Sequence, residues 1–199
     1  KPSATPPTLS VYQVVPSNGV HGLGISNVAL WYDAQDKTTI STNRLTEVMY
    51  WKDKSGNSKH ATIPSTPSKN PTYSTNGVNG LPALKFDGID DYLKIDGQMF
   101  INTNYSIFIV EKRTTSNGQY RYILGGTGNN KNTNLQIGYR NNSQFTVDHF
   151  ANTMNKNIPG LSTDDSAKIW TVTFSSDNGK KLYKQGELLK SEPNQKESL

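Results

Sequence analysis

The sequence predicts an all-β fold, and three observations carry that reading. Short β-branched and aromatic runs recur from Val28 to Leu189, clusters of Gly, Asn, Ser and Pro separate them, and the late runs alternate apolar with polar residues. Only LTEVMYW (45–51) has the pattern of a helical turn. Many strands joined by Gly- and Asn-rich turns leave a two-sheet sandwich and a barrel open.

In chain order, residues 1–27 are rich in Pro, Ser and Thr and are expected to be an extended lead-in that orders only where VYQVV (11–15) finds a partner. One domain is expected over 28–199. Its strands are read at VALWYD (28–33), ALKFD (83–87), YLKI (92–95), YSIFIVEKR (105–113), YRYILGG (120–126), LQIGYR (135–140), QFTVDHF (144–150), KIWTVTFSS (168–176) and KLYKQGELL (181–189). In KIWTVTF the period of two puts Trp170, Val172 and Phe174 on one face, which should be the core face. The run IFIV (107–110) is apolar on both faces, the pattern of a central strand covered on each side. RNNS (140–143) and DNGK (177–180) read as hairpin turns, because Asn and Gly tolerate positive φ. In FDGIDDYL (86–93), Asp87-Gly88 and Asp90-Asp91 should cap a tight reversal, with Phe86 and Tyr92 entering the core.

Bulk properties narrow the function classes. A chain of 199 residues buries about 70 % of its unfolded surface and needs no covalent staple. It has no cysteine, which excludes disulfides, thiol nucleophiles and thiolate zinc sites. The net charge of +5 is not gathered into a nucleic-acid footprint: Lys180, Lys181 and Lys184 are the nearest approach to a cluster and read as a solvated face. No apolar run approaches the ~20 residues that span a bilayer, so no direct membrane insertion is expected. The start, KPSATPPTLS, is not a signal peptide and reads as a trimmed or linker-like terminus.

Two stretches are more specific: W-x-D-x-S-G-N-x-x-H-A (51–61) and N-G-x-x-G-L-P-A-L-x-F-D-G-x-D-D-Y-L (76–93). With ALWYDAQD (29–36), YSIFIVEK, YILGG, LQIGYRNNSQFTVDHF and WTVTFSSDNGKKLYKQGELL, they resemble bacterial laminin-G-like or concanavalin A-like jelly-roll domains over residues 28 to about 190. The resemblance implies an antiparallel two-sheet jelly-roll sandwich that binds ligands at its loop rim or on a sheet face. It also implies attachment to an exported protein, whether extracellular, cell-surface or periplasmic. Similar domains continue past the Y-x-x-G-E-L hairpin with one or two closing strands, whereas this chain runs into SEPNQKESL. Either the chain is a fragment or something else covers the open edge. Thr153 stands where an acidic residue is expected in similar sequences.

The candidate sites follow. Calcium is the one cofactor for which ligands can be named, Asp90 and Asp91 with Asp33, and beside them Asp36 and Asp53; six to eight oxygens are needed. Glucanases share the resembled fold and place carboxylates as Glu-x-Asp-x-x-Glu on one strand, but Glu111 and Glu187 have no such neighbours. Asp90 and Asp91 would point to opposite sides of a strand. His21, His60 and His149 lack metal-ligand spacing and no G-x-S-x-G turn exists, so each histidine reads as structural. SNGVHGLG (17–24) and GGTGNNKN (125–132) lack the phosphate-loop pattern. Sugar recognition combines an aromatic face with planar polar groups. The segment 119–155 supplies both in Tyr120, Tyr122, Tyr139, Arg140, His149 and Asn152, with Asn141 and Phe150 beside them, and GNNKNTN (128–134) reads as the variable rim loop. If Ile123 and Ile137 face the core, Tyr120 and Tyr122 lie together on the opposite face and Tyr139 does not join them. NYS (104–106) and NNS (141–143) fit the glycosylation pattern. The sequence thus points to a non-catalytic, lectin-like domain binding glycan. The alternative is a structural protein-interaction module of a surface or envelope-spanning assembly, and a glycan-degrading enzyme ranks below both.

Overall fold

A computed structural model describes residues 27–64, 69–114, 118 and 120–199. Apart from Asn27 the expected lead-in, with VYQVV, SNGVHGLG and His21, lies outside them. The described chain is all-β, with thirteen strands and two short 3-10 turns, Lys37–Thr39 and Gly97–Phe100. Four antiparallel sheets form. A three-stranded sheet joins β1 (Ile40–Thr42), β2 (Val48–Trp51) and β3 (Ala61–Thr62), and a two-stranded ribbon pairs β4 (Thr72–Val78) with β5 (Leu81–Lys85). The two large sheets make the sandwich. One contains β6 (Tyr105–Lys112), β11 (Ala167–Ser175), β12 (Gly179–Lys184) and β13 (Glu187–Glu192), in the order β13-β12-β11-β6. The other is a meander of β7 (Arg121–Gly125), β8 (Gln136–Tyr139), β9 (Gln144–Asp148) and β10 (Thr153–Asn157). After β6 the chain therefore builds the whole second sheet before β11 returns to pair with β6.

The core lies between these sheets, because each strand there turns alternate side chains inward. Ile137, Phe145, Val147 and Met154 from the meander meet Trp170, Val172 and Leu182, with Ile107 and Ile109 of β6 packed against them. Phe145 and Trp170 stack at 4.0 Å between ring centroids, and the Tyr139 ring stands edge-on to both. Glu111 is the polar member of this layer: its Oε1 accepts from the Tyr139 hydroxyl at 2.6 Å and from Trp170 Nε1 at 2.9 Å. The inward face of Trp170, Val172 and Phe174 is as expected. Both expected hairpins form, with Tyr139 opposite Phe145 and Ser175 opposite Gly179. Asn141 Oδ1 caps the first, accepting from the backbone N–H of Ser143 and of Gln144.

The tight tryptophan-aspartate motif also has a physical reason. Asp53 is buried and its two oxygens accept from the N–H groups of Trp31, Ser55 and Lys59 and from the Ser55 hydroxyl, at 2.7–3.0 Å. Asp53 N–H in turn donates to His60 Nδ1, and Asn57 Nδ2 donates to the Val28 and Ala29 carbonyls. One carboxylate thus fastens segment 28–36 to loop 53–60. Burial raises the Asp53 pKa, but the donors from Ser55, Trp31 and Lys59 outweigh it and hold the carboxyl below its usual range.

Several expectations are corrected. VALWYD is not a strand: its backbone donors and acceptors go to the Asp53 loop, as in the Lys54 N–H to Trp31 carbonyl bond, instead of to a ladder. Segment 45–51 is no helical turn but leads into β2, which pairs with β1 and β3. YLKI forms only a single bridge, Lys94 to Thr62. KLYKQGELL is two strands around the Gln185-Gly186 reversal, both at positive φ. The turn at 86–93 forms, with Asp87 Oδ1 accepting from the N–H groups of Ile89, Asp90 and Asp91, yet Phe86 and Tyr92 stay largely exposed. Finally, IFIV is not covered on both sides. β6 is the edge of its sheet among the described strands, and Phe108 and Val110 are 65 % and 67 % exposed. At one end of the core Leu199 packs on the cluster and its carbonyl accepts from Asn102 N–H.

Asp53→Ala leaves three N–H groups, that of Ser55 buried and those of Trp31 and Lys59 partly buried, without their acceptor, and the expected cost is about 3 kcal/mol. Urea unfolding of the variant should show a lower midpoint with an unchanged slope.

Candidate functional site

The outward face of the β7–β10 meander gathers the chemistry. Alternation that sends Ile137, Tyr139, Phe145, Val147 and Met154 inward sends Gln136, Gly138, Thr146, Asp148 and Asn155 outward, and register sets Gly138 opposite Thr146 and Thr146 opposite Asn155. A bulge between Tyr122 and Leu124 lets both Ile123 and Leu124 pack on the core while Tyr122, opposite Gly138, stays outside. Gly138 is required there, since a Cβ would lie 2.5 Å from the Arg121 carbonyl and 2.8 Å from Tyr122 Cα.

Tyr120 and Tyr122, 53 % and 38 % exposed, hold their rings 6.0 Å apart at an interplanar angle of 31°. The Arg140 guanidinium lies 5.8 Å from the Tyr120 ring centre, and its Nη1 donates to Asn155 Oδ1 at 3.5 Å. Burial raises the Tyr122 pKa first, with the Tyr120 hydroxyl and the Asp148 carboxylate adding to it and Arg140 opposing, so the field of all three reaches the Tyr122 hydroxyl. Thr146, on the same face, is 2 % exposed and its hydroxyl has no hydrogen-bond partner. An aromatic pair, a guanidinium and an amide on one rigid sheet face can stack a ring and bond hydroxyls.

Of the six residues read from sequence as ligand contacts, the structure brings Tyr120, Tyr122 and Arg140 together. It does not bring Tyr139, His149 or Asn152 to them. Tyr139 is in the core, its pKa raised by burial and then by Glu111. His149 is fully buried at one end of the sandwich, with Nε2 2.7 Å from the Tyr105 hydroxyl and Nδ1 2.9 Å from the Glu197 carbonyl. A carbonyl only accepts, so Nδ1 carries the proton and Nε2 accepts from Tyr105. Burial, and then the nearby Lys180 ammonium, push the His149 pKa down to about 4. Asn152 is buried too, and its carbonyl accepts from Lys180 Nζ.

Lys180 corrects the solvated-face reading. It is fully buried, and burial brings its pKa down to about 8 despite Asp148, Glu197 and Glu192 nearby. The signal was in the spacing, since Lys180 shares the inward face of Leu182. Lys168 shares the inward face of Trp170, is likewise buried, and donates to the carbonyls of Asp164 and Ser166 at 2.7 and 2.8 Å. Lys184 pairs with Asp164 at 3.0 Å. Asp148, Thr146 and Asn155 belong to the outward face and were not singled out by sequence, because only the strand register puts them on the same face as Tyr122.

The carboxylates proposed for calcium are divided. Asp90 and Asp91 lie with Asp87 so that one oxygen of each falls within 4.8 Å, but Asp33 is 2.9 Å from Lys54 instead. Asp36 shares that lysine at 3.0 Å, and Asp53 is committed to its loop. Within the trio, Asp87 Oδ1 and Asp91 Oδ2 accept backbone N–H groups of the turn, and Asp90 lies 3.5 Å from Lys69 Nζ. Burial raises the Asp91 pKa, which the Asp87 N–H opposes and the charges of Asp87, Asp90 and Glu47 reinforce. The carboxylates are the caps of a reversal. A separate depression of about 370 Å³, lined by Asp36, Thr38, Thr39, Lys52, Asp53, Lys54 and Gly56, holds the Lys54 ion pairs and no aromatic ring. Loop 128–134 is held at its base by Asn134, which accepts from Gly126 N–H and donates to the Gly128 carbonyl.

Two titrations check the buried pair. The His149 ring protons should titrate near 4 by NMR, so that stability present above pH 6.5 is lost as the pH falls toward 4, where the unfolded chain binds a proton that the native ring does not. Between pH 8 and 10.5 native Lys180 is already neutral while the unfolded lysine is not. Raising the pH through that window should therefore stabilise the wild type relative to Lys180→Met, by on the order of 3 kcal/mol. Searches against family models, curated proteins and solved structures gave no match for this chain.

Proposed function

We propose that this chain is a non-catalytic, lectin-like domain that binds glycan on the outward face of β7–β10, as part of an exported surface or envelope protein. The observation that carries the reading is the convergence of Tyr120, Tyr122 and Arg140 on the outer face of a rigid sheet, with Asn155 bonded to the guanidinium. Two exposed tyrosine rings offer a stacking surface for the apolar side of a pyranose, and the guanidinium and amide beside them offer hydrogen bonds to its hydroxyls. The resemblance of the 51–61 and 76–93 motifs to laminin-G-like domains supports the same reading. Glu111, the inward carboxylate of β6, is bonded to Tyr139 and Trp170 in the core, which argues against a role as acid or nucleophile. No helix among the described residues is long and apolar enough to cross a membrane.

A second reading, a protein-interaction module of a surface assembly, draws on a different observation. The outward face of β13-β12-β11-β6 exposes Phe108, Val110, Ile169 and Leu188, which register places in adjacent cross-strand rows, beside β6, the edge of the sheet among the described strands. There the partner is a protein strand that extends the sheet at β6.

A glycan array separates the two. The first reading expects binding that Tyr122→Ala weakens at least tenfold with no change in melting temperature, and no release of reducing ends from any bound polysaccharide. Retained affinity in Tyr122→Ala, with binding lost instead in Phe108→Lys, moves recognition to the other sheet.

A further inference from the structure

We infer that the glycan bound on β7–β10 is acidic, with a uronate carboxylate taken by Arg140; this rests on the glycan-binding reading above. Arg140 is oriented but not neutralised. Its guanidinium has five N–H donors, and one of them makes a single long bond, 3.5 Å, to the neutral Asn155 amide oxygen. No carboxylate among the described residues lies within ion-pair distance of it. The Tyr120 ring holds the guanidinium without quenching its charge.

The only carboxylate that register places on this face, Asp148, is buried, and its Oδ1 accepts from Asn152 N–H. The face therefore presents a planar, positive fork next to an aromatic platform. That combination fits a pyranose ring that stacks on the tyrosines while its carboxylate takes the fork in two parallel bonds. A neutral sugar would leave the fork bonded to water.

The test is isothermal titration of the whole chain with hexamers of galacturonic acid and of hyaluronan, each against its fully methyl-esterified counterpart, which keeps the rings and removes the charge. At least one acid form should bind tenfold or more tighter than its ester, and raising salt from 50 to 500 mM should narrow the gap. Arg140→Gln should abolish the preference, and Arg140→Lys, which keeps the charge but not the fork, should retain part of it. Equal affinity of acid and ester, which needs no variant to fold, overturns the acidic specificity and leaves the glycan reading standing. Failure of both forms of both oligomers, together with a blank neutral array, overturns the reading underneath.

Discussion

The contact on which the sandwich depends is the stack of Phe145 on Trp170, one ring from each large sheet, with Tyr139 edge-on to both and Glu111 accepting from the indole and the phenol. Large aromatic surfaces dominate the burial there, and the two hydrogen bonds fix how the rings sit. Because strand side chains alternate, placing these residues inward dictates which ones remain outside. The polar outward set on β7–β10 and the apolar outward set on β6, β11 and β13 are both consequences of that inward choice.

The two outer faces differ in kind. On the meander, Tyr122, Thr146, Asp148, Arg140 and Asn155 are polar or amphipathic, and the bulge at Tyr122–Leu124 keeps the tyrosine outside while its two neighbours are buried. On the other sheet, Phe108, Val110, Ile169 and Leu188 lie in adjacent rows. Scattered exposed apolar residues are ordinary, but rows on one sheet face beside a free strand edge are more than that. Recognition of small polar rings suits the first face and strand addition suits the second.

At one end of the core the interior turns polar. His149, Tyr105, Asn152 and Lys180 form a connected layer that the tail closes through the Glu197 carbonyl. Glu197 also reaches Lys131 and Asn132 in the loop before β8. The tail is thus held by both a buried imidazole and a surface ion pair, and it positions the loop that borders the candidate face. Buried charges such as Lys180 are tolerated where carbonyls and a nearby carboxylate compensate them, at a cost in stability that relaxes when the lysine deprotonates.

Much of this was legible in the chain. Alternation in KIWTVTF, the Asn-rich hairpins and the absence of helical periodicity sufficed for an all-β fold, the inward Trp170 face and the outward pairing of Tyr120 with Tyr122, because strand geometry is local and has a period of two. The capped reversal at Asp87–Asp91 was legible too, since capping is a contact between near neighbours. What sequence misread depended on distant partners. VALWYD lost its ladder to Asp53, IFIV has no cover for its outer face among the described residues, and Lys180 proved buried. Register across β8, β9 and β10 alone decided that Thr146 and Asn155 join Arg140 while His149 and Asn152 sink into the core. Local propensity sets which way a strand's side chains alternate, but only the packing of one sheet on another chooses which of the two faces meets water.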